Sequence, residues 1–401
     1  MTQTADILVI GGGIAGIGAA AHLAADAGIV VVEAEDAPGH HATGRSAAIF
    51  VRNYGNAVLR ALNAASAPVL DDPDDWCDGP VLSRRGEMTV ATDVELPDFE
   101  RYLDGAEGIA EISPREAVAR FPLLRADRIA KAAIEEEASD IDVDRLLQGY
   151  ARLLRRRGGR IVTGARVEGL TRTGGTWRAE TARGAFEASI VVNAAGAWAD
   201  TVAGMAGVEQ IGLVPMRRSA VIVPVDRDVT GWAMVAGAAE TWYAKPDAGK
   251  LMISPADEDP MEPHDAWPDD LVLAEGIDRF ERMTTMRVTR VERSWAGLRT
   301  FAPDRTPVVG FAPDAPGFFW LAGQGGYGIQ TSPALSRLTA DLIAGRDPDL
   351  QGDVVSALSP ERSAPVDDAG TGTGSRKGLH RRHTMPRCTP GAGGAEREHD
   401  R

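Results

Sequence analysis

The sequence predicts an α/β fold in which a Rossmann-like nucleotide-binding sheet is combined with a second sheet, and three stretches carry that expectation. The first is the N-terminus. Ile7–Ile10 is an apolar run of strand length, Gly11, Gly12 and Gly13 follow, residues 14–26 read as a helix carrying Gly16, and Ile29–Val32 is a second apolar strand that ends at Glu33. Gly11-x-Gly13-x-x-Gly16, with an acid 20 residues after Gly13, is the dinucleotide fingerprint. The second stretch is residues 189–192, a buried strand running into Asn193, Ala194, Ala195 and Gly196. The third is Phe318–Ala322, which feeds a glycine-rich loop, residues 323–330, and a helix opened by Ser332-Pro333. The chain therefore leaves the nucleotide sheet and returns to it.

Each part of the fingerprint has a physical task. Gly11 makes the tight turn, Gly13 lets backbone reach a pyrophosphate, and Gly16 lets helix press on strand. The unpaired amides at the helix start hold phosphate, aided by the helix dipole. Glu33 suits ribose hydroxyls and disfavours a 2'-phosphate. The late loop ahead of residue 332 is a second anion site of the same kind.

Composition narrows the partners. The 401 residues amount to two or three domains' worth of chain, and the net charge of −15 excludes nucleic acid and anionic membranes as expected partners while suiting a cationic substrate. Cys77 and Cys388 cannot build a disulfide framework, and no Cys/His cluster has metal spacing. The start MTQTAD lacks the features of a signal peptide, and the apolar residues 7–25 are glycine-interrupted strand and helix rather than a membrane span. A cytoplasmic location, no metal and no transmembrane segment are the corresponding expectations.

The remaining elements follow in order. Gly44-Arg45-Ser46 is expected to start a helix that Tyr54-Gly55 breaks, and an arginine there can neutralise phosphate or steady an electron-rich ring. Residues 56–70 form another helix; Glu87–Ala91 alternates as a half-buried strand with Glu87 and Thr89 on one face. Ser113 to Glu116 is a capping box, and Asp142 caps an amphipathic helix that Gly158-Gly159 ends. Residues 160–167 return as a strand and 176–187 as a hairpin. Residues 218–225 and 240–244 are strands of the second sheet, 269–283 a helix, and 294–301 a returning strand. Residues 364–401 are poor in large apolar side chains and read as disordered. On residues alone, Arg218 and Arg299 are solvated charges more often than ligand clamps, and Glu87 is an exposed glutamate on an edge strand.

The stretches GHHATGRSAA, SRRGEMTV, EEEASDIDVDRLLQGY, VVNAAGAWAD, RRSAVI, WYAKPDAG, SWAGLRTF and GFFWLAGQGGYGIQTS, in this order, resemble the FAD-dependent D-amino acid oxidase superfamily, most of all its bacterial D-arginine dehydrogenases. That resemblance implies a discontinuous FAD domain (residues 1–75, 145–210 and 295–360) and a substrate domain (76–144 and 211–294) built on an antiparallel sheet. It implies non-covalent FAD, with the ADP half at Gly11, Gly13, Ile14, Ala15, Gly16 and Glu33 and Val167 at the adenine end. The flavin half would lie near Thr43, Gly44, Arg45 and Ser46, Ala195 and Gly196, and Gly325, Gly326, Tyr327, Gly328, Ile329 and Gln330. By the same resemblance Arg299 and Arg218, with Arg217 as the fallback, grip a substrate carboxylate beside Tyr243. Glu87 pairs with a substrate guanidinium, Tyr54 belongs to a mobile lid, and Gly326, Ile329 and Gln330 touch the substrate. Ile49 and Val51 stand where the arginine enzymes have histidine and threonine, which favours more apolar side chains. The implied activity is oxidative deamination of D-amino acids such as D-arginine or D-lysine, with a quinone or oxygen as electron acceptor. The alternatives are a sarcosine, glycine or other amine oxidase of the same family and, outside it, a nicotinamide-dependent reductase.

Overall fold

The computed structural model describes residues 2–362, and its organising element is a six-stranded sheet in the order Arg160–Val162, Ile29–Val32, Ile7–Ile10, Ile190–Asn193, Phe318–Ala322, Val308–Phe311. All pairings are parallel except the last. Ile7–Ile10, Ile29–Val32 and Phe318–Ala322 are buried along their whole length, which explains why they read as unbroken apolar runs rather than alternating ones. Ile7 and Val9 face a core shared with helices Ile14–Leu23, Val143–Arg156 and Ser332–Ala344. Leu8 and Ile10 face the opposite core with Trp177 and Phe186, from a four-stranded sheet of Thr2–Thr4, Gly184–Ala188, Thr176–Thr181 and Val167–Thr173. Helix Ser332–Ala344 has proline in its first turn and ends at Gly345 in the left-handed conformation, as its sequence requires.

The second large sheet has nine strands. Asp259–Pro260, Val214–Val223, Lys250–Ser254, Tyr243–Asp247, Met234–Gly237, Glu87–Ala91, Lys131–Glu135 and Ile109–Ile112 follow one another, and Arg293–Phe301 also pairs with Val214–Val223. It is antiparallel except between Met234–Gly237 and Glu87–Ala91, which run parallel. That pair makes the sheet mixed, and it buries Glu87–Ala91 between two neighbours instead of leaving it half-buried on an edge.

The capping signals at Ser113 and Asp142 hold, and Asn56 and Asp269 also accept backbone hydrogen bonds at helix starts. Three expectations are corrected. No helix starts at Gly44; residues Ala42–Arg45 form a short 3-10 turn and Ile49–Phe50 is a strand paired with Ser139–Ile141, because Ile49 and Phe50 find a sheet partner that local propensity cannot reveal. Residues 160–167 are not one strand: Arg160–Val162 joins the six-stranded sheet and Val167–Thr173 the four-stranded one, with Gly164 at positive φ between them. The N-terminal helix stops at Leu23. The expected disorder of residues 364–401 lies outside the described residues. Among the described residues no helix is long and apolar enough to cross a membrane.

Candidate functional site

A cleft of about 340 Å³ runs across the carboxyl ends of the central parallel strands, where open α/β sheets bind ligands. The fingerprint forms one end. Gly11 has φ +110°, and a Cβ there would stand 2.3 Å from the Ala194 carbonyl oxygen; one on Gly16 would stand 1.9 Å from that of Gly11. Only glycine fits either place. Around Gly13 the nearest atom to such a Cβ is Thr43 Oγ1 at 3.3 Å, so its backbone stays open to the cleft. Thr43 Oγ1 accepts from the Ile14 N–H at 3.0 Å, and the Glu33 carboxylate accepts from the N–H groups of Gly12 at 2.5 Å and Glu35 at 2.8 Å. Ile14, Ala15, Glu33, Ser46, Val167, Ala195 and Gly196 line the same cleft.

The late loop closes the other end. Gly325, Gly326, Gly328 and Ile329 line it. Thr300 Oγ1 and Gln324 Nε2 are buried in its wall with no hydrogen-bond partner, a costly state unless a ligand completes it. An elongated polar ligand fits: glycine backbone at one end, a ribose-type acid at Glu33, orphaned donors and acceptors at the other end.

Several expected cofactor residues have other work. Gly44 lies outside the lining; its N–H donates to the Gly39 carbonyl at 2.8 Å, and its role is the turn. Arg45 does line the cleft, but its guanidinium donates to the carbonyls of Ala266 at 3.1 Å and Ala296 at 2.9 Å and to Asp265, which ties the 3-10 turn to the nine-stranded sheet rather than leaving a charge for phosphate. The Gln330 amide is spent on Val51, accepting from its N–H at 3.2 Å, and on Asn63 Oδ1 at 2.8 Å. Tyr327 packs on Tyr54 with ring centres 4.7 Å apart.

Strand register sets the candidate substrate residues on one face of the nine-stranded sheet; Arg218 and Arg299 line the cleft, whereas Glu87, Tyr243 and Tyr54 are not among its lining residues. Glu87 is level with Met234, Thr89 with Ala236, Ala236 with Tyr243, Lys245 with Met252 and Met252 with Ile222. Arg218 is level with Gly297, and Met216 with Arg299. Since side chains alternate along a strand, Glu87, Tyr243, Arg218 and Arg299 project from one face. The opposite face holds Met88, Val90, Val221, Val235 and Ile253 in an apolar core.

Arg299 NH1 lies 3.5 Å from the Tyr54 hydroxyl, and a Cβ on Gly326 would stand 2.9 Å from the same atom. Burial works against its charge, yet the neighbouring Tyr54, Tyr243, Glu258 and Tyr327 raise its pKa. Among the described residues no carboxylate forms an ion pair with it. Arg218 differs: its guanidinium donates to the Asp257 carbonyl and to Glu258 Oε1, both at 2.9 Å, while Arg305 grips the same Glu258. Arg217 is paired with Asp257 and Asp259. Arg218 is therefore an ion-paired wall residue of the cleft, and Arg299 is an arginine of the lining with no carboxylate partner among the described residues.

Glu87 is 5% exposed and has no cationic partner among the described residues. Its carboxyl accepts from the Tyr102 hydroxyl at 3.1 Å and Thr89 Oγ1 at 3.4 Å. Burial, reinforced by the Glu135 carboxylate and the more distant Glu240, pushes its pKa up to about 8. Residues 51–54, expected to be a mobile lid, are held by several hydrogen bonds. Asn63 Nδ2 donates to the Arg52 and Tyr54 carbonyls at 3.1 and 3.0 Å, and Glu135 accepts from the N–H groups of Arg52 and Asn53. Glu135, Asn63, Tyr102, Thr300 and Gln324 carry no motif. Only the opposed register of Glu87 and Glu135 gives the first of them away.

Residues 6–342 match the family model described as DAO, FAD dependent oxidoreductase. The chain is 24% identical over 385 residues to human mitochondrial dimethylglycine dehydrogenase, covering 86% of this chain and 43% of that protein. It is 27% identical over 204 residues to hydrogen cyanide synthase subunit HcnC of Pseudomonas aeruginosa, covering 50% and 48%. It thus spans less than half the length of these two relatives. Among solved structures, glycine oxidase from Geobacillus kaustophilus superposes with TM-score 0.79 at 22% identity, covering 90% of this chain and 99% of that one. L-proline dehydrogenase from P. horikoshii gives 0.75 at 22%, covering 90% and 98%. With a cradle suited to a dinucleotide and a family match across most of its length, this chain belongs to the DAO family of FAD dependent oxidoreductases.

Proposed function

We propose that the protein oxidises a D-amino acid with a cationic side chain, D-arginine or D-lysine, to the imino acid, which water hydrolyses to the 2-oxo acid and ammonia. The observation that carries this reading is a pair of unmatched ionisable groups on one sheet face, the half-buried Arg299 guanidinium and the buried Glu87 carboxyl, neither of which has an ion-pair partner among the described residues. A buried charge without a counter-ion is costly. One ligand with a carboxylate at one end and a guanidinium or ammonium at the other would pair with Arg299 directly and with Glu87 once its proton has left. Dimethylglycine dehydrogenase, glycine oxidase and L-proline dehydrogenase are named for amine substrates, which supports an amine substrate, and the resemblance of SRRGEM and AGLR to the arginine enzymes supports the D configuration.

In this scheme Arg299, with the Tyr54 hydroxyl and the Gly326 backbone beside it, grips the carboxylate by two hydrogen bonds and so fixes the α-carbon. Tyr243 bounds the side-chain path, and Glu87 holds the distal cation. FAD, held non-covalently, supplies the two-electron acceptor. The substrate amine must lose its proton before its α-hydrogen leaves as hydride, so turnover rises with pH. Below about pH 8 Glu87 is protonated when the site is empty, so binding of a cationic substrate releases its proton.

A sarcosine or glycine oxidase is the second reading, favoured by the glycine oxidase fold. It leaves Glu87 buried without a partner. The deciding experiment is an anaerobic absorbance titration of the FAD-loaded protein. Bleaching of the flavin band by D-arginine and not by L-arginine supports the reading. Bleaching by sarcosine or glycine alone overturns it.

A further inference from the structure

Glu135 is 3% exposed and sits directly opposite Glu87 on the neighbouring antiparallel strand. Its carboxylate accepts from Arg52 N–H at 2.6 Å, Asn53 N–H at 3.3 Å and Asn53 Nδ2 at 2.6 Å. Asn53 in turn donates to the Glu107 carbonyl at 2.8 Å and accepts from the Glu107 N–H at 2.9 Å. The next residue, Tyr54, reaches Arg299. One carboxylate thus joins the strand that faces Glu87 to the segment that covers the carboxylate end of the site.

We infer that Glu135 is a positioning residue whose carboxylate latches residues 51–55 over the site and whose hold depends on whether the facing Glu87 is neutral or paired. Two carboxylates level across a strand pair repel when both are charged. Glu135 has three N–H donors on it, whereas Glu87 has two hydroxyls and burial that pushes its pKa up to about 8. The other charged or titratable groups around the pair are Tyr102, from helix Leu96–Leu103, the exposed Glu240, and Arg52, whose guanidinium leans toward Glu137 at 3.9 Å. Below pH 8 the neutral Glu87 leaves the latch intact. Above it, in the empty site, the second charge weakens the latch, and a ligand cation on Glu87 restores it. The site so distinguishes an occupied cation pocket from an empty one and transmits the difference to the cover over Arg299. The ligand part of this inference rests on reading Glu87 as a cation site; the latch does not.

Hydrogen exchange on the FAD-loaded protein without substrate, corrected for intrinsic rate, tests it. Glu135→Gln is expected to lower protection of the Arg52 and Asn53 amides by about tenfold or more at every pH while leaving the Phe318–Ala322 strand unchanged. In the wild type the same amides are expected to lose protection as pH rises through about 8, and Glu87→Gln is expected to abolish that loss. Propylguanidinium added at about pH 9 is expected to restore protection in the wild type. Unchanged protection in Glu135→Gln overturns the latch. A flat wild-type pH series, which needs no variant to fold, overturns the coupling. Steady-state kinetics separate positioning from contact: Glu135→Gln raises KM for D-arginine and D-leucine alike, and an effect confined to D-arginine overturns the positioning role. If propylguanidinium has no effect while the pH series behaves as expected, the latch stands and the cation reading of Glu87 falls.

Discussion

The two large sheets solve the problem of holding a ligand in opposite ways. The six-stranded sheet does so with backbone: Gly11 and Gly16 clear space, Gly13 and the late loop bring main chain to the cleft wall, and one acid, Glu33, stands at a strand end. In the proposed function the nine-stranded sheet does so with side chains delivered from distant strands, Glu87, Tyr243 and Arg299, of which Glu87 and Arg299 have no ion-pair partner among the described residues. Substitution in the first should abolish the site as a whole, and substitution in the second should alter what the site accepts.

The sharpest break of that contrast is Gly16→Val. Its Cβ would stand 1.9 Å from the Gly11 carbonyl, so the helix must move away from the phosphate-binding turn. The variant is expected to purify colourless; retention of the flavin spectrum would remove the glycine cradle from the account.

Arg299→Leu comes next. Two charge-assisted hydrogen bonds at about 1.5–3 kcal/mol each amount to a loss of about 100-fold or more in kcat/KM for every amino acid tested, with flavin content unchanged. Arg218→Leu is expected to cost about tenfold or less, because Glu258 already occupies that guanidinium. Equal losses would return Arg218 to the clamp.

A smaller effect is on stability. The Glu87 carboxyl ionises near pH 8 in the folded protein against an ordinary value of 4.5. Its contribution is therefore complete below about pH 4.5 and is lost as pH rises through 8. The substrate-free protein is expected to lose several degrees of Tm between about pH 6 and pH 9, and Glu87→Gln is expected to flatten that decline. Parallel melting curves for the two proteins would contradict the buried, unpaired acid.

The same contrast explains what the sequence makes legible. The cradle is local: strand, glycines, helix and acid are contiguous, so the spacing of Gly11, Gly13, Gly16 and Glu33 carries the geometry. Arg299 and Glu87 carry no such local signal, since their meaning comes from strand register across the chain, and only the resemblance to a family singled them out. Glu135 is illegible because it opens the acidic run Glu135-Glu136-Glu137, while its actual partners are the Arg52 and Asn53 backbone amides and the Asn53 side chain. The partners of Arg218 and Arg45 are hidden for the same reason: Glu258, Asp265 and the Ala296 carbonyl are remote in sequence. The strand at Ile49–Phe50 escaped notice because its pairing partner lies at Ser139–Ile141.

The most direct test of the central claim is the ratio of kcat/KM for D-arginine to that for D-leucine, in the wild type and in Glu87→Leu. The account expects the wild type to favour D-arginine, and the variant to lose about 10- to 100-fold on D-arginine while D-leucine changes far less, as removal of one buried charge pair requires. A ratio that is the same in both proteins would contradict it.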